Sequence, residues 1–263
     1  MSGLAPDADA LIPFAIGFTL VAVRVAFLFV SSPIFGTRLI PRNILAAAIV
    51  VISFATYMGL PPHAPPPLEA LPIAIAILGE AALGAAAGLT ARIVFAAVEA
   101  AGQMIGVPMG LGFANVVDPL SGGASVVTSQ FLGIAMSLVF LALDGHHVLL
   151  RMIIGSFAVL PPGEVVLSSG VGLTLATKAS MVFESGLQLA APVMLVLIGV
   201  TIALGLLARV APKVNLFVLS FAVSIGVGIL SLQAALPDML AYIRGLTTRL
   251  EPMLGEVLRS FSG

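Results

Sequence analysis

The segment Asp144–His147 places one carboxylate and two imidazoles close together in the chain. These side chains ligate Zn²⁺ in proteins, so the segment is the strongest candidate for metal chemistry. Adjacent histidines, however, are expected to point in different directions on a helix or a strand, and no H-x-x-x-H or H-E-x-x-H pair is present. The sequence therefore favours no metal ion and no cofactor, with a site formed by Asp144, His146 and His147 as the minor alternative.

Other catalytic patterns are missing from the sequence. The chain has many serines but no G-x-S-x-G elbow, and no Walker-type phosphate loop. It has no cysteine, which excludes disulfides and thiol chemistry. We expect a protein that is not an enzyme, and an intramembrane hydrolase that uses Asp144, His146 and His147 is a distant alternative.

Four charged residues stand in strongly apolar surroundings. They are Glu80, Arg92, Glu99 and Glu184. Charges inside a membrane often line the path of a substrate or an ion. A small-solute permease that uses these side chains is therefore an alternative function.

The elements that carry these residues are membrane helices. The chain is 60% hydrophobic and 9% charged, with a mean hydropathy of +1.19, whereas about a quarter of the residues in a globular protein are charged. Six apolar stretches are long enough to cross a hydrocarbon core of about 30 Å. They are Ala10–Ser32, Asn43–Leu68, Leu71–Ala91, Pro119–Leu143, Ser185–Ala208 and Val214–Pro237. The sequence thus predicts an all-α membrane protein with about six hydrophobic helices and no basic surface for nucleic acid.

Proline and glycine divide this single domain, residues 1–263, into segments. We expect an N-terminal helical pair at 1–60, a Pro-rich connector at 61–69, a long helix at 70–107, a Gly-rich loop at 106–123, further helices at 124–237 and an amphipathic tail at 238–263. The loop lies between the third and fourth hydrophobic helices. Between Pro72 and Pro108 the long helix can run for about 35 residues, or roughly 53 Å, which exceeds the thickness of a bilayer.

The long helix carries two surface patterns. Arg92, Glu99 and Gln103 lie on nearly one face, and such a stripe needs protein neighbours rather than lipid. Glu184 and its polar neighbours repeat this pattern later in the chain. Gly84 and Gly88 form a G-x-x-x-G pair, which allows another backbone to approach closely. The partner is either a helix of the same chain or another subunit.

An ordered set of segments resembles the FliR family of flagellar export-gate proteins and their counterparts in virulence type III secretion. The segments are Arg24–Arg42, Gly102–Pro119, Leu141–His147, Ser156–Phe157, Pro161, Ala191–Pro192 and Gly205–Phe217. The resemblance implies helical hairpins raised out of the ordinary membrane plane, in a complex at the flagellar basal body of the bacterial inner membrane. It also implies FliP-like, FliQ-like, FlhB-like and FlhA-like partners and unfolded flagellar proteins as substrates.

In this family the glycine-rich loop projects into the pore as a plug. The resemblance assigns that role to Gly106, Met109, Gly110, Leu111, Gly112, Phe113, Ala114, Asn115 and Asp118. Glycines would let the loop move aside, while the apolar side chains would exclude water and ions. An ordinary loop between helices is the alternative.

Overall fold

A computed structural model describes residues 8–36, 40–61, 69–112, 126–165, 169–211 and 215–261. Every regular element in these ranges is a helix. The helices are α1 (Ala8–Ser31), α2 (Arg42–Gly59), α3 (Ala70–Gly106), α4 (Val127–Ala142), α5 (Gly145–Val159), α6 (Ser169–Val210), α7 (Leu216–Thr248) and α8 (Leu250–Arg259). Among the described residues, five helices are long and apolar enough to cross a membrane, or six if α4 and α5 together form one broken span. The predicted all-α membrane protein is confirmed.

The predicted fourth span, Pro119–Leu143, differs from the observed helix. Helix α4 covers only Val127–Ala142, and a second helix, α5, starts at Gly145, directly after a break of two residues. Asp144 has a φ of 54°, which lies in the left-handed region and ends a right-handed helix. The hydrophobic pattern does not predict this break, because the pattern depends on which residues are apolar and not on backbone angles.

The last long helix also differs from its predicted bounds. Helix α7 continues through Pro237 to Thr248, although the sequence suggested that the tail began at Asp238. A proline removes a single donor from the hydrogen-bond ladder, so a long apolar helix can kink and continue. Only α8 then remains as a separate amphipathic helix, and its apolar residues Leu254 and Val257 are buried.

The described helices belong to two compact units. The first comprises Met1–Arg92, Asp144–Lys178 and Arg249–Gly263, and the second comprises Ile93–Leu143 and Ala179–Thr248. Helices α3 and α6, with 37 and 42 residues, contribute to both units. At 1.5 Å per residue they are about 55 and 63 Å long, so each exceeds a hydrocarbon core of about 30 Å.

In the first unit, α1 packs against both α2 and α3. Phe14 of α1 packs edge-on against Tyr57 of α2, with ring centroids 5.1 Å apart. On α3, a side chain at Gly84 would meet the amide nitrogen of Leu28 at 3.2 Å, and one at Gly88 would meet the carbonyl oxygen of Leu28 at 2.8 Å. The G-x-x-x-G pair therefore lies directly against α1 of the same chain.

The second unit joins the end of α3 to the start of α4. The Thr128 hydroxyl donates to the carbonyl of Gly102 at 2.5 Å, and the Ser129 hydroxyl donates to the carbonyl of Glu99 at 2.9 Å. Any side chain at Gly102 would collide with the backbone of Ser129. The last turns of α3 and the first turn of α4 are therefore in close backbone contact.

Candidate functional site

Residues Gly106–Gly112, which we call the glycine segment, leave α3 as a series of turns. The amide of Gly110 donates to the carbonyl of Val107 at 3.0 Å, and the amide of Leu111 donates to the carbonyl of Gly106 at 3.0 Å. Gly110 has a φ of 82°, a conformation that L side chains rarely adopt. Glycine is thus required here to turn the chain away from the helix axis.

The glycine segment packs against α7 at two points. Met109 is only 1% exposed, and a side chain at Gly228 would lie 2.6 Å from the Met109 Cγ atom. A side chain at Gly110 would likewise meet the ring of Phe221 at 2.6 Å. The first part of the predicted plug is therefore anchored on α7, with Leu111 and Gly112 half-buried beside it. Four further residues assigned to the plug, Phe113, Ala114, Asn115 and Asp118, lie outside the described residues.

A buried ion pair forms the polar centre of the first unit. The Arg24 Nε atom of α1 donates to Glu80 Oε2 of α3 at 2.5 Å, and a second guanidinium nitrogen donates to Glu80 Oε1 at 3.0 Å. Both side chains are 0% exposed. A two-point contact of this kind fixes the direction of both side chains, so it sets α1 and α3 in one register.

The segment from α5 to Gly163 satisfies the remaining groups of this pair. Arg24 also donates to the Ser156 hydroxyl at 2.8 Å and to the Leu160 carbonyl at 3.0 Å, while the Gly163 amide donates to Glu80 Oε1 at 2.8 Å. The Arg24 Cζ atom lies 3.9 Å from the centroid of the Phe157 ring. Burial of a charge without such partners would be strongly unfavourable. The ion pair and these partners are called the Arg24 cluster below.

The sequence pattern did not indicate this cluster. It suggested Glu80 for a permease path and gave no role to Arg24, which lies within the first apolar stretch. An available signal was that one apolar helix carries an arginine and another a glutamate, since charges in such helices pair with one another. The carboxylate oxygens of Glu80 face Arg24 and Gly163 instead of an open path.

The predicted polar stripe lies on the surface of the chain. Arg92, Glu99 and Gln103 are all exposed, and Glu184 of α6 is exposed as well. Glu184 accepts a long hydrogen bond of 3.4 Å from the Gln188 amide, whose own oxygen accepts from the Tyr242 hydroxyl at 2.7 Å. The predicted stripe is therefore exposed along α3 and does not form part of the interior of this chain.

The Asp144–His147 segment differs from expectation. The ring centroids of His146 and His147 are 4.1 Å apart, and His147 Nδ1 lies 3.1 Å from Asp144 Oδ1. The two imidazole rings thus lie side by side at the start of α5, although adjacent positions on a helix were expected to direct them apart.

The sequence of this chain is similar to those of known bacterial export proteins. The family model described as "Bacterial export proteins, family 1" matches residues 15–250. The flagellar biosynthetic protein FliR of Escherichia coli strain K12 is 32% identical over 236 residues, which cover 90% of each chain. The FliR proteins of Bacillus subtilis strain 168 and Aquifex aeolicus strain VF5 are 32% and 28% identical, over 87% and 81% of this chain and 89% and 82% of theirs.

Proposed function

The chain belongs to the family of bacterial export proteins, family 1, and from this membership we propose that it is a pore-forming subunit of a flagellar-type type III protein export gate. Its role is the export of unfolded flagellar proteins across the bacterial inner membrane, at the flagellar basal body. The relatives named above are flagellar biosynthetic proteins, which supports a flagellar system. The subunit acts without catalysis of its own.

The observation that carries this proposal is the glycine segment anchored on α7. Met109 is buried against Gly228, and Gly110 lies under Phe221 in a backbone conformation that favours glycine. The contacts of Met109 with Gly228 and of Gly110 with the Phe221 ring are apolar, and a passing chain can separate apolar contacts without the breaking of an ion pair. We assign it as the base of a plug that closes the resting pore, continued by Phe113, Ala114, Asn115 and Asp118.

The surface of the chain supports assembly with other subunits. Arg92, Glu99 and Gln103 are exposed along one helix, where contact with lipid alone would be unfavourable. The 37- and 42-residue helices are longer than a bilayer core requires. We propose FliP-like and FliQ-like subunits as the direct neighbours, with FlhB-like and FlhA-like components in the same apparatus.

Co-purification tests the assembly. The full chain, co-expressed with FliP-like and FliQ-like proteins from its own genome, is expected to elute with both in one complex after detergent extraction. Charge reversal at Glu99 together with Gln103→Lys is expected to weaken this complex, whereas Thr177→Ala, also on an exposed face, leaves it intact. A chain that purifies alone and transports a small solute after reconstitution would contradict the gate and support the permease.

Deletion of Gly110–Asn115 tests the plug. Within the assembled complex, this six-residue deletion is expected to make the resting membrane leak ions, because the apolar seal is lost. The measurement is dye or ion efflux from cells or vesicles that contain the complex, and co-purification verifies assembly. Deletion of the six residues Pro62–Pro67 in the Pro-rich connector is the length-matched control and should not leak. An assembled complex with no increase in leak would overturn the plug assignment.

A further inference from the structure

The break between α4 and α5 holds an unusual aspartate. Asp144 is the one non-glycine residue with a positive φ among the described residues. It precedes α5, yet its side chain makes no capping hydrogen bond to that helix. A backbone in this region costs free energy for most residues, although aspartate tolerates it better than bulkier ones. The carboxylate is therefore held at this position without the usual benefit of a helix cap.

Two imidazoles lie beside this carboxylate. One ligand atom from each of Asp144, His146 and His147 lies within 4.8 Å of the other two. The distance of 3.1 Å between His147 Nδ1 and Asp144 Oδ1 matches the separation of two ligands that each lie about 2.0–2.2 Å from one Zn²⁺ ion.

His146 supplies a second, independent observation. Its Nδ1 atom is buried and has no hydrogen-bond partner among the described residues. A buried nitrogen without a partner is unfavourable, because it has lost its water without replacement. A metal ion is one partner that would satisfy it, since neutral imidazole is a preferred ligand of Zn²⁺.

We propose that Asp144, His146 and His147 bind one divalent transition-metal ion, with Zn²⁺ as the best match to two imidazoles and one carboxylate. Asp144 and His147 are mostly exposed, at 69% and 59% of their side-chain surface, so water completes the coordination and the ion exchanges with solvent. The bound ion joins the residue before α5 to the first turn of that helix. It thereby stabilises the start of α5 and the break that precedes it.

The chain offers a clean background for a binding test. It contains no cysteine and three histidines, two of which belong to the proposed site. The full chain, purified in detergent through a tag without histidine and stripped by a chelator, is titrated with Zn²⁺ by calorimetry and with Co²⁺ by visible absorption. We expect one ion per chain and Co²⁺ bands of tetrahedral or five-coordinate type. With Zn²⁺ at about a hundredfold excess over its dissociation constant, the melting temperature should rise by about 5–10 °C.

Matched variants separate a metal site from a simple helix cap. Asp144→Gly suits the backbone φ of 54° and removes only the carboxylate, so it should fold as well as the parent chain but bind Zn²⁺ at least tenfold more weakly. His147→Asn, which still allows a hydrogen bond to Asp144, should have the same effect on binding. His63→Ala is the control and should retain full affinity.

Two results would overturn the proposal. One is a folded parent chain that takes up no Zn²⁺ or Co²⁺, which would reduce the contact of Asp144 with His147 to a local hydrogen bond. The other is equal affinity in the parent chain, Asp144→Gly and His147→Asn, which would place the ion elsewhere. The parent titration is decisive even if a variant fails to fold, and neither result depends on the export function.

Discussion

Replacement of Glu80 with glutamine is expected to lower the free energy of unfolding by about 3–5 kcal/mol, because one partner of a buried ion pair is removed while the other charge stays buried. Glutamine preserves the size of the side chain and can still accept from the Gly163 amide. The loss therefore reports the unpaired charge of Arg24, which is 0% exposed. The measurement is unfolding of the full chain in mild-detergent micelles, followed by helical circular dichroism.

Glu164→Gln is the matched control, because this exposed carboxylate lies one residue after Gly163. It should change stability by less than about 0.5 kcal/mol. The double variant Arg24→Met with Glu80→Leu should recover much of the stability lost in Glu80→Gln, since it leaves no buried charge. Equal stability of Glu80→Gln and Glu164→Gln would show that the pair does not hold the first unit together.

A second large effect is expected at Gly84, where alanine should destabilise the protein by about 1–3 kcal/mol. In an isolated helix the same change would be favourable by about 1 kcal/mol, because alanine forms helices better than glycine. Here the added carbon would meet the backbone of α1, at 3.0 Å from the Arg24 carbonyl carbon and 3.2 Å from the Leu28 amide nitrogen. Backbone atoms cannot rotate away, so α1 must shift and the Arg24 cluster loosens.

Gly155→Ala provides the opposite expectation in the same unit. Gly155 lies in α5, and an added carbon there meets no atom within 4 Å. This variant should be as stable as the parent chain or slightly more stable. The same unfolding assay should give a lower free energy of unfolding for Gly84→Ala than for Gly155→Ala. A stabilised Gly84→Ala would mean that α1 and α3 are not in close contact.

The fold class was predictable because few charges and long apolar stretches leave only membrane helices as a solution. Helix ends were less predictable, since they depend on single backbone angles. The positive φ of Asp144 interrupts the helical path between α4 and α5, whereas α7 continues through Pro237. Neither outcome is visible in the hydrophobic pattern.

The polar centre of the first unit shows why sites are harder to predict than folds. Arg24 and Glu80 are 56 residues apart, and several other charges offered equally plausible partners. Ser156 has no distinctive spacing from other polar residues in the sequence. The Gly163 amide is a backbone group, so no pattern of side chains could predict its role. In the glycine segment, by contrast, glycine density alone indicated a turn, but not that Met109 is buried against Gly228.

The Arg24 cluster also has a consequence for how the chain is made. At about 5–20 residues per second, Glu80 is synthesised roughly 3–11 s after Arg24, and Ser156 follows later still. Arg24 therefore emerges from the ribosome before its counter-charge on α3, and insertion of an unpaired arginine costs about 2.5–3.5 kcal/mol at the centre of a membrane helix. Helix α1 is thus a poor candidate for release into lipid on its own. Its insertion becomes more favourable once α3 has also emerged and Glu80 can pair with Arg24.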